Sequence, residues 1–329
     1  MKRALVVAVA VLGLAACGNE DKPQPPAPTT AAPAPTAPLD GPDNLRHWVP
    51  DASAPVGLVA AGGLLWVAAS SADKVLAVEP ATGKVVATVA VGDTPLRLAA
   101  GGGAIWASNF RDGSVSRIDP GTRTVTATYP AGPESEGLAW AANALWVIGQ
   151  NDGVLRRLDP ATGHVTATVP VGREPRLVTA GASLLWVSVF GADSLVPVDP
   201  ATAKAGPPIA VCDGPQGAVE VDGLVWVACT GAGKVAAVDA RTRAVVATLP
   251  TSPYPDGVTA AGGRVYVVGQ QGPTVTVIDS AKRGVVAMHP AGKGPGLADQ
   301  GNDDIAVIGD EIWLSRFDTG DLLSMPVPA

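Results

Sequence analysis

From residue 55 to the C-terminus the chain alternates short apolar runs with polar turns. Val165-Thr166-Ala167-Thr168-Val169 shows the period of two that a pleated, half-buried strand requires. Runs such as Leu184-Leu185-Trp186-Val187 are apolar throughout and read as strands buried on both faces. No amphipathic helical stripe appears after Pro42. Between the runs stand turn formers, as in Asp159-Pro160-Ala161-Thr162-Gly163. There Pro sets φ, Asp and Thr bond nearby backbone, and Gly accepts a positive φ.

The pattern repeats. Trp66, Trp106, Trp146, Trp186 and Trp226 follow one another at 40 residues, Tyr266 continues the series, and Trp313 closes it after 47. A second marker runs in phase: Glu79-Pro80, Asp119-Pro120, Asp159-Pro160, Asp199-Pro200, Asp239-Ala240 and Asp279-Ser280. Each unit divides into four strands. In the fourth these are residues 177–180 (A), 184–189 (B) and 194–199 (C), while 166–171 is strand D of the unit before. Four-stranded units of this length are propeller blades, since one blade cannot bury both faces and a ring of them can. The expected fold is therefore all-β: a seven-bladed β-propeller over residues 44–329, four antiparallel strands per blade, with each strand-B Trp between blades.

The last unit lacks a strand D. Leu45-Arg46-His47-Trp48-Val49-Pro50 aligns with residues 165–170 at an offset of 120, three whole periods. The N-terminal strand is thus expected to complete blade 7 from outside and so close the ring.

The unit X-L-W-V-(A/S), polar turn, V-X-X-V-D-P-X-T-G, V-X-A-T-V-X-V-G resembles the YVTN/NHL group of bacterial seven-bladed propellers over nearly all of residues 44–329. That group includes surface and secreted proteins, sensor domains of receptor kinases, and streptogramin B lyases. One fold hosts many functions, so the resemblance speaks to architecture.

Composition adds the compartment. Lys2 and Arg3 precede an apolar stretch, Ala4 to Leu12, too short for a membrane span. Leu14-Ala15-Ala16-Cys17 resembles a lipobox. The resemblance implies a signal peptide (1–16), cleavage before Cys17 and lipidation of its sulfur, hence an extracytoplasmic protein anchored to the bacterial membrane. Residues 17–43 carry eight prolines among Ala and Thr and are expected to form an unfolded tether. Removing residues 1–16 moves the net charge from −7 to −9. Acidity without a basic stripe argues against nucleic acid as partner; a monomer is expected.

Chemistry is expected where the D–A and B–C loops share one face of the disc around the central channel. The residue after the D–A proline position is Val56, Leu96, Glu136, Arg176, Gln216 and Asp256 in blades 1 to 6, and Gly296 or Asp303 in blade 7. With neighbouring loops, the candidate ligand-binding set is Asn109, Glu136, Arg176, Gln216, Asp256, Gln270 and Arg316. Arg97, Arg111, Glu134, Gln150, Arg173 and Glu174 lie nearby in the sequence pattern. This set reads either as a polar pocket for a small molecule or peptide end, or as a solvated mouth with internally paired charges. Streptogramin lyases, by resemblance, use a metal with His and acidic groups near the axis. Here His47, His164 and His289 all align to strand D or its edge. No catalytic residue, metal site or cofactor is therefore assigned. The leading reading is a binding scaffold for a small molecule, cell-envelope component or protein; the alternative is a metal-dependent lyase or hydrolase. The acidic turns Asn302-Asp303-Asp304 and Asp318-Thr319-Gly320-Asp321 offer weak Ca²⁺ ligands, but neither has the spacing of a full calcium loop, and hairpin turns are the preferred reading. Cys212, in a D–A loop, and Cys229, at the exit of strand B, fall on one face of blade 5 and are expected to form a disulfide.

Overall fold

A computed structural model describes residues 46–48, 54–271, 274–291, 302–317 and 319–328. The signal peptide, Cys17 and the tether lie outside these residues. The chain forms seven antiparallel sheets, each of four strands in A-B-C-D order, arranged as a propeller. Blade 2 is typical: Pro95–Gly101 (A), Ala104–Asn109 (B), Ser114–Asp119 (C) and Thr124–Pro130 (D). In blade 4, strand D is split into Lys204–Ala205 and Ile209–Ala210. Pro207 and Pro208 fall in the gap, where each withholds an N–H that a ladder would need. An outermost strand tolerates that loss.

The repeat's sequence markers have separate physical jobs. The Asp of each C–D turn caps it: Asp119 Oδ1 accepts the N–H groups of Gly121 and Thr122, both at 2.8 Å. Asp159, Asp199 and Asp239 repeat the arrangement. The strand-B aromatics are the blade interfaces. Trp66 packs with Ile105 and Ile118 of the next blade, Trp186 with Val225 and Val238, and Tyr266 with Ile305 and Leu314. Seven such clusters, one per interface, form the core.

Near the axis four of the A strands approach the next blade so closely that a side chain does not fit at one register position. A Cβ on Gly57, Gly137, Gly217 or Gly257 would come within 2.3–2.9 Å of the next blade's backbone. Blades 2, 4 and 7 carry Arg97, Leu177 and Asp304 at this register position instead, and the two charged residues enter the site described below.

The N-terminal strand, Arg46–Trp48, pairs with Asp321–Pro326 and completes blade 7, as expected. Its register differs by one residue from the alignment at 120. Trp48 faces Leu322 and takes the inward position held by Val89 and Val169 elsewhere, an offset of 121. The alignment had placed Val49 there. A one-residue slip exchanges the two faces of a strand, and the larger ring wins the buried one. Trp48 stacks on Trp313 at 5.7 Å, donates to Ser324 Oγ at 3.1 Å, and lies against Gly83 of blade 1.

Candidate functional site

Two register positions build the mouth of the channel. The first is the second residue of strand A. Pairing of Asn302 with Arg316, like that of Pro55 with Ala69, assigns Asp303 to this position in blade 7, not Gly296. The second is the residue following strand B: Ser70, Phe110, Gln150, Phe190, Thr230, Gln270 and Phe317. In blades 1 to 6 its N–H bonds the carbonyl of the residue before the strand-A proline position, as Phe190 does to Glu174 and Gln270 to Tyr254. The acceptor residues, Glu174 and Tyr254 among them, adopt a positive φ. The repeated backbone geometry sets the second position over the first. Gln270 Nε2 donates to Asp256 Oδ2 at 2.6 Å, and Arg176 lies 5.3 Å from the ring of Phe190.

The lower level is a charge network across the axis. Arg97 of blade 2 reaches Asp256 of blade 6 at 3.7 Å and Asp304 of blade 7 at 3.6 Å. Arg176 lies 3.6 Å from Glu136. Asp304 also accepts the N–H of Leu58 at 2.9 Å, which ties blade 7 to blade 1. Burial pushes the carboxyls of Glu136, Asp256 and Asp304 above their ordinary values; Arg97 opposes that shift in all three, and Arg176 in Glu136 and Asp256.

The network is incompletely satisfied. Glu136 and Asp256 are only 5 % and 3 % exposed, yet Glu136 Oε2 and Asp256 Oδ1 accept no hydrogen bond. The neighbouring arginines, at 3.6–3.7 Å, supply charge but stand beyond hydrogen-bond length. Gln216 Oε1, Gln150 Oε1 and Arg176 Nε are also buried without partners. Buried polar groups ordinarily find partners, so these atoms call for water or a polar guest.

The structure thus brings Glu136, Arg176, Asp256 and Gln270 together. Arg97 and Asp304 join them. The sequence pattern had named Arg97 only as a neighbour and read Asp304 as part of a turn. The available signal was polar substitution at a position that is glycine in four blades. Asn109 sits elsewhere in function: fully buried, it donates to Ser114 Oγ at 2.9 Å and Ser116 Oγ at 3.0 Å and braces its own hairpin. Arg316 pairs with Asp321 at 3.6 Å across the B–C turn of blade 7. Thr319 Oγ1 bonds Asp321 in the same turn; Asp318 lies outside the described residues. Glu134, Gln150, Arg173 and Glu174 line a cleft of about 630 Å³ between blades 3 and 4, and Arg111 is exposed on its loop.

The metal chemistry implied by resemblance does not fit this donor set. His164 lies exposed in a C–D turn and His289 on an outer strand, as does the backbone of His47. The axial carboxylates already face two guanidinium groups. Among the described residues no group of three or more His, Cys, Asp or Glu is placed to hold a metal ion.

Cys212 and Cys229 are disulfide-bonded, with Cα atoms 5.7 Å apart. Other blades show why these positions suit a bridge. A Cβ on Gly92 would lie 2.7 Å from the Asn109 amide, and one on Gly269 would lie 2.1 Å from Ser252 Oγ. The two positions face each other in every such blade, and blade 5 fills both with sulfur.

Seven blades with a polar axial mouth define the class: a propeller similar in fold to streptogramin B lyase. A streptogramin B lyase structure matches with a TM-score of 0.73 at 16 % identity, over 85 % of this chain and 96 % of that one. Hydrazine synthase of Kuenenia stuttgartiensis matches at 0.72 and 16 %, over 88 % and 99 %. The computationally designed Ika8 protein matches at 0.60 and 11 %, over 83 % and 96 %. At such identities the likeness is one of fold. No protein-family model and no curated protein sequence matches the chain.

Proposed function

We propose that this protein is a cell-surface lipoprotein whose propeller binds a small polar molecule at its axial mouth. One observation carries the binding role: buried oxygens of Glu136 and Asp256, from different blades, each face an arginine at 3.6–3.7 Å yet accept no hydrogen bond. A few convergent polar groups fix the orientation of a guest in small-molecule sites. The lipid anchor rests on the Leu14-Ala15-Ala16-Cys17 segment, and the proline-rich stretch after it would hold the domain off the membrane. The net charge argues against nucleic acid as the guest.

The test is mass spectrometry of compounds released from the purified full-length protein on denaturation. The expected result is a compound enriched with the wild type and depleted with Glu136→Gln and Asp256→Asn. A compound retained equally by both variants, or none at all, would overturn the reading.

A further inference from the structure

All three phenylalanines of the chain, Phe110, Phe190 and Phe317, occupy one register position, the residue following strand B, in blades 2, 4 and 7. They stand on the loops above the axial network. Tyr254, beside Gln270, is 43 % exposed and Phe317 is 41 % exposed. Large aromatics that exposed, on the face that carries the unpartnered groups, give the mouth an aromatic rim. The rim already shows its preference for a cation: Phe190 receives Arg176 on its ring.

Beneath the rim the electrostatic balance is negative. Three carboxylates, Glu136, Asp256 and Asp304, face two guanidinium groups. Both guanidinium groups already have carboxylate partners. The atoms those guanidinium groups approach, Glu136 Oε2 and Asp256 Oδ1, accept no hydrogen bond from them at 3.6–3.7 Å. An incoming anion would meet this surplus of negative charge, and a neutral apolar group would leave the oxygens unsatisfied. A protonated amine brings N–H donors and the missing positive charge, and an aromatic rim suits its carbon body. Arg176 Nε is a buried donor without a partner, which calls for an acceptor on the same guest.

Resting on the axial reading above, we infer that the ligand is an organic ammonium ion bearing a nearby hydroxyl or carbonyl. The ammonium group bonds Glu136 and Asp256, its oxygen faces Arg176, and its apolar part lies against Tyr254 and Phe317.

Three probes of one shape and different charge test this by calorimetric titration of the full chain at neutral pH: phenylethanolamine, mandelate and phenylethylene glycol. Phenylethanolamine is expected to bind at least about tenfold more tightly than the other two, and Glu136→Gln or Asp256→Asn to weaken it by about tenfold, the scale of one hydrogen bond to a charged group. Phe317→Ala changes only an exposed side chain and tests the rim without threatening the fold; it should weaken binding by roughly two- to fivefold. Mandelate or the glycol binding as well as the amine, with loss in the two carboxylate variants, would overturn the ligand class and leave the axial site standing. Amine binding untouched by all three substitutions, or no binding of any probe, would overturn both.

Discussion

Arg97 links two carboxylates from across the ring, Asp256 and Asp304, so its removal is the most informative single change. Its side chain is 12 % exposed, and Asp256 and Asp304 depend on it for charge. Arg97→Leu takes the nearest cation from buried Asp256 and partly buried Asp304, which should cost about 2–4 kcal/mol at neutral pH. Arg97→Lys should recover part of this, because a point charge replaces a planar fork. The deficit of Arg97→Leu should shrink on mild acidification, as the carboxylates accept protons and lose the charge that burial penalises. Urea melts at pH 7 and pH 5 measure it; a deficit independent of pH would show that packing, not charge, is what Arg97 supplies.

At the scale of the element, the N-terminal strand and the blade 5 bridge both restrain edges. Deleting residues 44–50 removes the pairing with Asp321–Pro326 and strips Trp48 from Trp313 and Gly83. Blade 7 is then left with three strands and an open edge. Loss of the partly buried Trp48 indole alone should cost about 1–3 kcal/mol. Deleting residues 18–40 should leave the melting temperature nearly unchanged, and equal melting temperatures for the two truncations would refute the closure. Trp48→Ala in the intact chain should account for most of the larger loss. The Cys212–Cys229 bond spans 17 residues and holds the D–A loop that precedes Gln216 against the end of strand B. In the chain-entropy model a loop of this length stabilises by about 3 kcal/mol. Reduction, or Cys212→Ser with Cys229→Ser, should therefore lower the denaturation midpoint, and peptide mapping without reductant should recover the two cysteines in one linked fragment.

For the whole molecule, two sets of carboxylates pull the pH dependence in opposite directions. Asp119, Asp159, Asp199, Asp239 and Asp279 sit in C–D turns where backbone N–H groups hold them below the ordinary 3.8. Their contribution is present above that value and lost as pH falls through their lowered folded pKa values. Glu136, Asp256 and Asp304 are held above the ordinary 4.5 and 3.8 by burial, so the folded state binds protons that the unfolded state releases. Their effect is that stability rises as pH falls from neutral toward the ordinary carboxylate range. The sum is a stability maximum at mildly acidic pH and a decline below roughly pH 4. Scanning calorimetry from pH 3 to 8 checks it; stability climbing steadily from pH 4 to 8 would mean the axial carboxylates are not held as described. The proposed anchor belongs to this scale too. Cys17→Ser should release the protein from the membrane fraction, and wild-type protein found wholly in the culture medium with an unmodified N-terminus would count against lipidation.

The sequence by itself determined the blades, their number, the Trp interfaces, the closing strand and the Cys pair. Each of these follows from a local or periodic pattern, and a repeat of 40 residues leaves one ring that buries every apolar face. It also brought Glu136, Arg176, Asp256 and Gln270 to one mouth, because equal positions in equal blades must face the same axis. The tertiary structure alone decided the rest. Trp48 took the inward place one residue away from the repeat alignment, since burial of the larger ring outweighs periodic likeness in a strand with no blade preceding it. Asn109 turned to its own hairpin, while Arg97 and Asp304 joined the axis from a position that glycine usually holds. Contacts across a channel join residues whose separation in sequence, 97 to 256 and 97 to 304, carries no periodic mark. Only closing the ring brings those charges within a few ångströms of one another, and only then do their unpartnered atoms become visible as a site.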